Sequence, residues 1–175
     1  MPTTVSGRIS EVILARLEPG EDLRQGLLAA IRERDIKSGV ILSITGGLER
    51  ATLKRFPKEG GHDINTEPIE IAGPMEVSGH GIIGRVEAPD FGDAYFGVGD
   101  DFIHDGPYLH VHLTATSAGG TVCGHLMNGS PVLATHNRSH FTVVIGRIDG
   151  AMVKMMGKAG PGPIASRVWH ELVQF

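Results

Sequence analysis

Several things are scarce in this sequence, and each scarcity narrows the reading. A single cysteine, Cys123, rules out an intrachain disulfide and fits a reducing compartment. No apolar run approaches the roughly 20 residues needed to span a bilayer. The first residues lack the charged, apolar and small-residue succession of a secretory leader, so a cytoplasmic protein without a membrane partner is expected. Positive charge is also short: 16 Lys and Arg stand against 20 Asp and Glu, a net charge of −4 with neutral histidines. Domains built to grip phosphates usually carry a basic stripe, and none dominates here. No fixed repeat period occurs, which excludes a solenoid.

Glycine, by contrast, is plentiful, at 25 of 175 residues. Pairs such as Gly46-Gly47, Gly60-Gly61 and Gly119-Gly120 fall between short β-like runs, as turn punctuation does in a sheet-rich fold. The length suits one domain, taken as residues 1–157, with residues 158–175 as a tail docking on the body or on a neighbouring subunit. Strands are predicted at Arg8–Leu17, Val40–Thr45, Leu48–Phe56, Ile69–Ala72, Met75–Ile83, Tyr108–Ala115, Thr121–Met127, Val132–Ala134 and Phe141–Arg147. One helix opens at Glu21-Asp22 and runs to about Arg34, with Leu23, Leu27, Ala30 and Ile31 on its apolar face. Arg24, Arg32, Glu33 and Arg34 are expected in solvent. The stretch 86–106, acidic and glycine-bearing, reads as a long excursion. One helix followed by many short strands argues for an α+β domain with a mainly antiparallel sheet.

The order of these pieces resembles the plants-and-prokaryotes-conserved (PPC) domain family. Four stretches carry the resemblance. They are Arg16-Leu17-Glu18-Pro19-Gly20-Glu21-Asp22 before the helix; Gly39-Val40-Ile41-Leu42-Ser43 with Gly47-Leu48 and Ala51-Thr52-Leu53; Ile69-Glu70-Ile71; and Leu109-His110-Val111-His112-Leu113 with Gly124-His125-Leu126, Gly129 and Val132. The resemblance implies an antiparallel sheet flanked by helices and assembled as a homotrimer. Plant members of the family carry a separate AT-hook, Arg-Gly-Arg-Pro, that enters the minor groove. No such segment occurs in these 175 residues, so nucleic acid is not the first partner to expect.

His110 and His112 lie two apart on a predicted strand and leave the same face. His125 sits on the next strand, close enough to pair through the 117–120 turn. Three imidazoles on adjacent strands can supply the nitrogens that zinc and related divalent metals favour, with a position left open. The same trio also reads as half-buried strand histidines satisfied by backbone carbonyls or water. In the PPC pattern the histidines match Tyr108, His110 and His125. Tyrosine replaces the first here, and His112 takes over a place usually held by a small polar residue.

Tyr108, His136, His140 and Cys123 are assigned to the site periphery. His62 and His170 read as peripheral to the whole chain. Cys123 with His125 forms a conceivable nucleophilic pair, although a structural cysteine accounts for it as well. Glu76, Asp100 and Asp101 are candidate bases, with no ground for choosing among them.

Two functions follow from these residues. One is a homotrimeric protein binding a divalent metal or a small ligand at the histidine cluster, with enzymatic activity left open. The other is a DNA-associated or regulatory protein, supported by the moderately basic first third (Arg32, Arg34, Lys37, Arg50, Lys54, Arg55 and Lys58).

Overall fold

In a computed structural model that describes residues 2–55, 68–88, 103–134, 140–158 and 167–175, helix α1 (Leu23–Glu33) is fixed at its start by Asp22. The Asp22 carboxylate accepts the Gln25 amide at 3.0 Å through Oδ1, meeting one of the orphan donors of the first turn. Its Oδ2 accepts the amides of Gly129 and Ser130 at 2.7 and 2.8 Å. One side chain therefore caps the helix and ties down a segment more than a hundred residues away.

Leu23, Leu27, Leu28 and Ile31 form the buried face of α1 and join Ile41, Ile44, Leu113, Phe141 and Ile145 in the main core. Burying each such side chain contributes roughly 1.5–3 kcal/mol of transfer free energy. Arg24 breaks the expectation of a solvated basic face, because it is only 3% exposed. Its guanidinium donates to Asn128 Oδ1 at 3.4 Å. Burial lowers its pKa from the ordinary value, the Asp22 charge opposes that shift, and Arg32 adds to it.

The strands are β1 (Arg8–Arg16), β2 (Gly39–Lys54), β3 (Ile69–Glu87), β4 (Pro107–Ser117), β5 (Gly120–Leu126), β6 (Thr142–Asp149), β7 (Ala151–Lys158) and β8 (Arg167–Gln174). They lie in the order β1-β6-β2-β5-β4-β3-β7-β8, and β2 also pairs with β3. The β2–β3, β3–β4, β4–β5 and β5–β2 pairings thereby close a four-strand ring. Closure at β2–β5 rests on two residue pairs, Leu53 with Leu126 and Lys54 with His125. All ladders are antiparallel except β3–β7, which is parallel through Arg85, Val86 and Glu87.

The domain is thus mostly sheet with one helix among the described residues, where the resemblance implied flanking helices. The C-terminal segment adds no helix there, because residues 167–174 form β8 along β7. Trp169 and Phe175 on this segment are exposed in the single chain. No helix among the described residues is long and apolar enough to cross a membrane.

Two predicted strand breaks are absent. β2 runs through Gly46-Gly47, and β3 runs through Gly73-Pro74. Gly46 serves close approach rather than a turn: a Cβ there would meet the Phe141 ring at 2.5 Å. At Gly73 it would meet the Glu49 carbonyl oxygen. The register shifts around these positions keep β2 and β3 in one ladder. The predicted strand at Val132–Ala134 reduces to isolated bridges, Asp22 with Pro131 and Leu48 with Val132. Phe56, His62, Asp100, Asp101 and His136 lie outside the described residues.

Candidate metal centre

β4 alternates cleanly. Leu109, Val111, Leu113 and Ala115 point into the core, so His110, His112 and Thr114 take the opposite face. Cross-strand partners share a face. His112 faces His80 on β3 and His125 on β5, and His125 faces Lys54 on β2. The hairpin turn between β4 and β5 therefore converts a His-x-His spacing and a distant histidine into one cluster.

His110 Nε2 lies 3.1 Å from His112 Nε2 and 3.2 Å from His125 Nε2. One nitrogen of each ring falls within 4.8 Å of the others. The ring planes of His110 and His112 are 25° apart, while His125 meets both at 65°. A single lone pair or a single proton on His110 Nε2 cannot serve two neighbours at full strength. Three nitrogens held about 2.0–2.1 Å from one four-coordinate zinc would stand roughly 3.3 Å apart. The donor set and its spacing therefore fit a divalent ion of the zinc type.

Around the trio, Tyr108 Oη lies 2.8 Å from His110 Nδ1 and 2.7 Å from His170 Nε2. Tyr108 is 6% exposed, packed with Val86, Ala88 and Met155 in a second apolar cluster. Burial raises its hydroxyl pKa well above the ordinary phenol value. His80 stacks beside His112 with centroids 6.4 Å apart, outside the metal-capable group.

The remaining candidates separate. Cys123 is exposed and pairs with Thr114, on the same sheet face but outside that group. His140 is exposed, and its carbonyl accepts from Thr142 at 3.4 Å. His104 sits near Asp105. Glu76 is exposed opposite Thr116, and four residues of strand, about 13 Å, separate it from His80.

His170 was read as peripheral, and the structure corrects that. It lies on β8 opposite Met155, and its ring centroid is 5.7 Å from that of His110. Lys54 had been grouped with a basic surface, yet it stands beside His125. No local signal marks either residue, because both reach the site through long-range pairing.

Burial pulls the His110 pKa down to about 4, helped by His125, His112 and His170. Burial also lowers His125, helped by His112 and Lys54, and lowers His170. Unfolded histidine titrates near 6.5. Between about pH 6.5 and 4 the unfolded metal-free chain binds more protons than the folded one, so stability falls as pH drops. His110 is only half-buried, so about 1–2 kcal/mol of this loss is expected to trace to it. Thermal melts of metal-free protein at pH 7.5 and 4.5 should show the loss, and His110→Gln should flatten it. Equal pH slopes for the two proteins would contradict the assignment.

A sheet domain with one helix among the described residues and a histidine triad on an outer face is the class that fold and site define. The chain matches the Plants and Prokaryotes Conserved (PCC) domain over residues 4–137 and belongs to that family. Similar folds occur in a metal-containing protein from Archaeoglobus fulgidus, with TM-score 0.66, 19% identity, and coverage of 88% of this chain and 91% of that one. A plant- and prokaryote-conserved protein from Pyrococcus horikoshii gives TM-score 0.65 and 19% identity, covering 98% and 99% of the two chains. The bifunctional protein GlmU of Synechococcus sp. (strain JA-2-3B'a(2-13)) is 31% identical over 121 residues. That stretch is 69% of this chain but 15% of the relative's length.

Proposed function

We propose that this protein binds a divalent metal of the zinc type through the Nε2 atoms of His110, His112 and His125, and that it works as a homotrimer. The single observation that carries the metal reading is the convergence of the three Nε2 atoms, with His110 3.1 and 3.2 Å from its two neighbours. The description of the Archaeoglobus relative as metal-containing supports it. With three protein donors, the arrangement is that of a centre open to a further ligand. Bound there, such an ion would supply Lewis-acid polarisation of a carbonyl or activation of water. The chain's own share is to hold three imidazoles in place, and burial favours the neutral, metal-binding form of His110 and His125.

Self-association is supported by the outer face of β1, β6 and β2. Ile9, Val12, Leu14 and Leu42 are exposed there, Leu14 at 74%. Ile9 and Leu42 approach one another over Gly146. Clustered exposed apolar residues of this kind mark association surfaces.

Native mass spectrometry of tag-free protein grown with zinc tests both parts. The expected species is a trimer carrying about one metal per chain. A mass without metal overturns the metal reading, and a monomer overturns the assembly.

A further inference from the structure

His110 is the central donor of the triad, and its second ring nitrogen is already engaged. Nδ1 meets the Tyr108 hydroxyl at 2.8 Å, and the same hydroxyl meets His170 Nε2 at 2.7 Å. We propose that Tyr108 and His170 are positioning residues of the metal centre, so that strand β8 completes its outer shell. This inference rests on the metal reading above and concerns residues that the triad does not include.

The direction of the two hydrogen bonds follows from the donor inventory. If Nε2 of His110 lends its lone pair to an ion, the ring proton sits on Nδ1, which then donates to Tyr108 Oη. The Tyr108 hydroxyl has one proton, and His170 Nε2, 2.7 Å away, is placed to accept it. The chain His110–Tyr108–His170 thus fixes one tautomer and one ring orientation for His110. Hydrogen bonds of this kind to a ligand's far nitrogen orient it and raise its basicity.

The packing around Tyr108 fits a fixed part. Its ring is buried among Val86, Ala88 and Met155, and it meets His110 and His170 edge-on, at interplanar angles of 71° and 66°. Met155 is the register partner of His170 on the β7–β8 ladder, so one pair of strands sets both the tyrosine's packing and its hydrogen-bond acceptor. His170 lies beyond the residues matched by the family, 4–137. Tyr108 is therefore served by a segment outside the matched region.

The test uses the full chain and three variants: Tyr108→Phe, His170→Leu and His170→Gln. Zinc affinity is read by competition with a chromophoric chelator, and ligand geometry by the visible absorption of the cobalt(II)-loaded protein. Tyr108→Phe and His170→Leu are expected to weaken zinc binding about 10–100-fold and to alter the cobalt bands. His170→Gln keeps a carbonyl acceptor and is expected to recover most of the affinity. Tyr108→Phe leaves the ring in its apolar cluster, so it decides the matter if His170→Leu disturbs β8.

Wild-type affinity and unchanged cobalt bands in Tyr108→Phe overturn the proposal while leaving the triad standing. Equal losses for His170→Gln and His170→Leu overturn the hydrogen-bonding role of His170. A wild-type protein that binds neither metal overturns the triad reading and this inference with it.

Discussion

Replacing His110 with alanine is expected to cut zinc affinity by at least about 100-fold, the largest effect of any single change in the triad. Zinc sites with four protein ligands are worth roughly 10–16 kcal/mol in apparent binding free energy. An equal share is about 3 kcal/mol per ligand, which is about two powers of ten in affinity. His110 carries more than an equal share, because its Nε2 is the atom that lies 3.1 and 3.2 Å from both other donors. Its loss also removes the Nδ1 partner of the Tyr108 hydroxyl. His112→Ala and His125→Ala are expected to lose affinity too, but less, because the Tyr108 hydroxyl bonds to His110. Chelator competition on the three purified variants gives the ranking. Unchanged affinity in all three would place any bound metal elsewhere.

Asp22→Ala is expected to destabilise the fold by about 3 kcal/mol. A lost N-cap alone costs about 0.5–2 kcal/mol. Here the same carboxylate also accepts from the amides of Gly129 and Ser130, and charge-assisted bonds of this type are stronger than neutral ones. The donors left behind lie next to a fully buried residue: Ser130 is 0% exposed, and its hydroxyl accepts the Thr52 amide at 3.0 Å. Releasing this segment therefore disturbs β2 as well as α1. Asp22→Asn keeps one acceptor oxygen and is expected to lose about half as much. Urea unfolding of both variants measures the difference. A loss under 1 kcal/mol for alanine would show that water replaces the carboxylate without cost.

The histidine triad was legible because it is local. His110 and His112 are two apart on a strand, and one short turn brings back His125, so period-two alternation alone puts the three on one face. The helix start at Asp22 was legible for the same reason. Other features hide because one residue type serves two physical purposes. Gly46-Gly47 and Gly73-Pro74 look like punctuation, yet β2 and β3 pass through them, since glycine also admits a neighbouring ring or backbone. Arg24 looks like part of a solvated helix face, but Asn128 and Asp22 meet it in the interior. His170 and Lys54 join the site through pairings with β7 and β5, and nothing beside them in the sequence names those partners.

The ladders also differ in how far apart their strands lie along the chain, and that sets an order of events during folding. β4 and β5 are joined by a tight turn, and hairpins of this kind close in roughly 1–10 μs. β1 instead pairs with β6, as in Arg16 with Thr142, and non-local contacts of this kind dominate slow-folding topologies. All three histidines of the triad and Tyr108 ride on the fast hairpin, while the His170 partner of Tyr108 waits for β8 to reach β7. The donors can therefore gather before the rest of the sheet has formed, and the hold on His110 is set only afterwards.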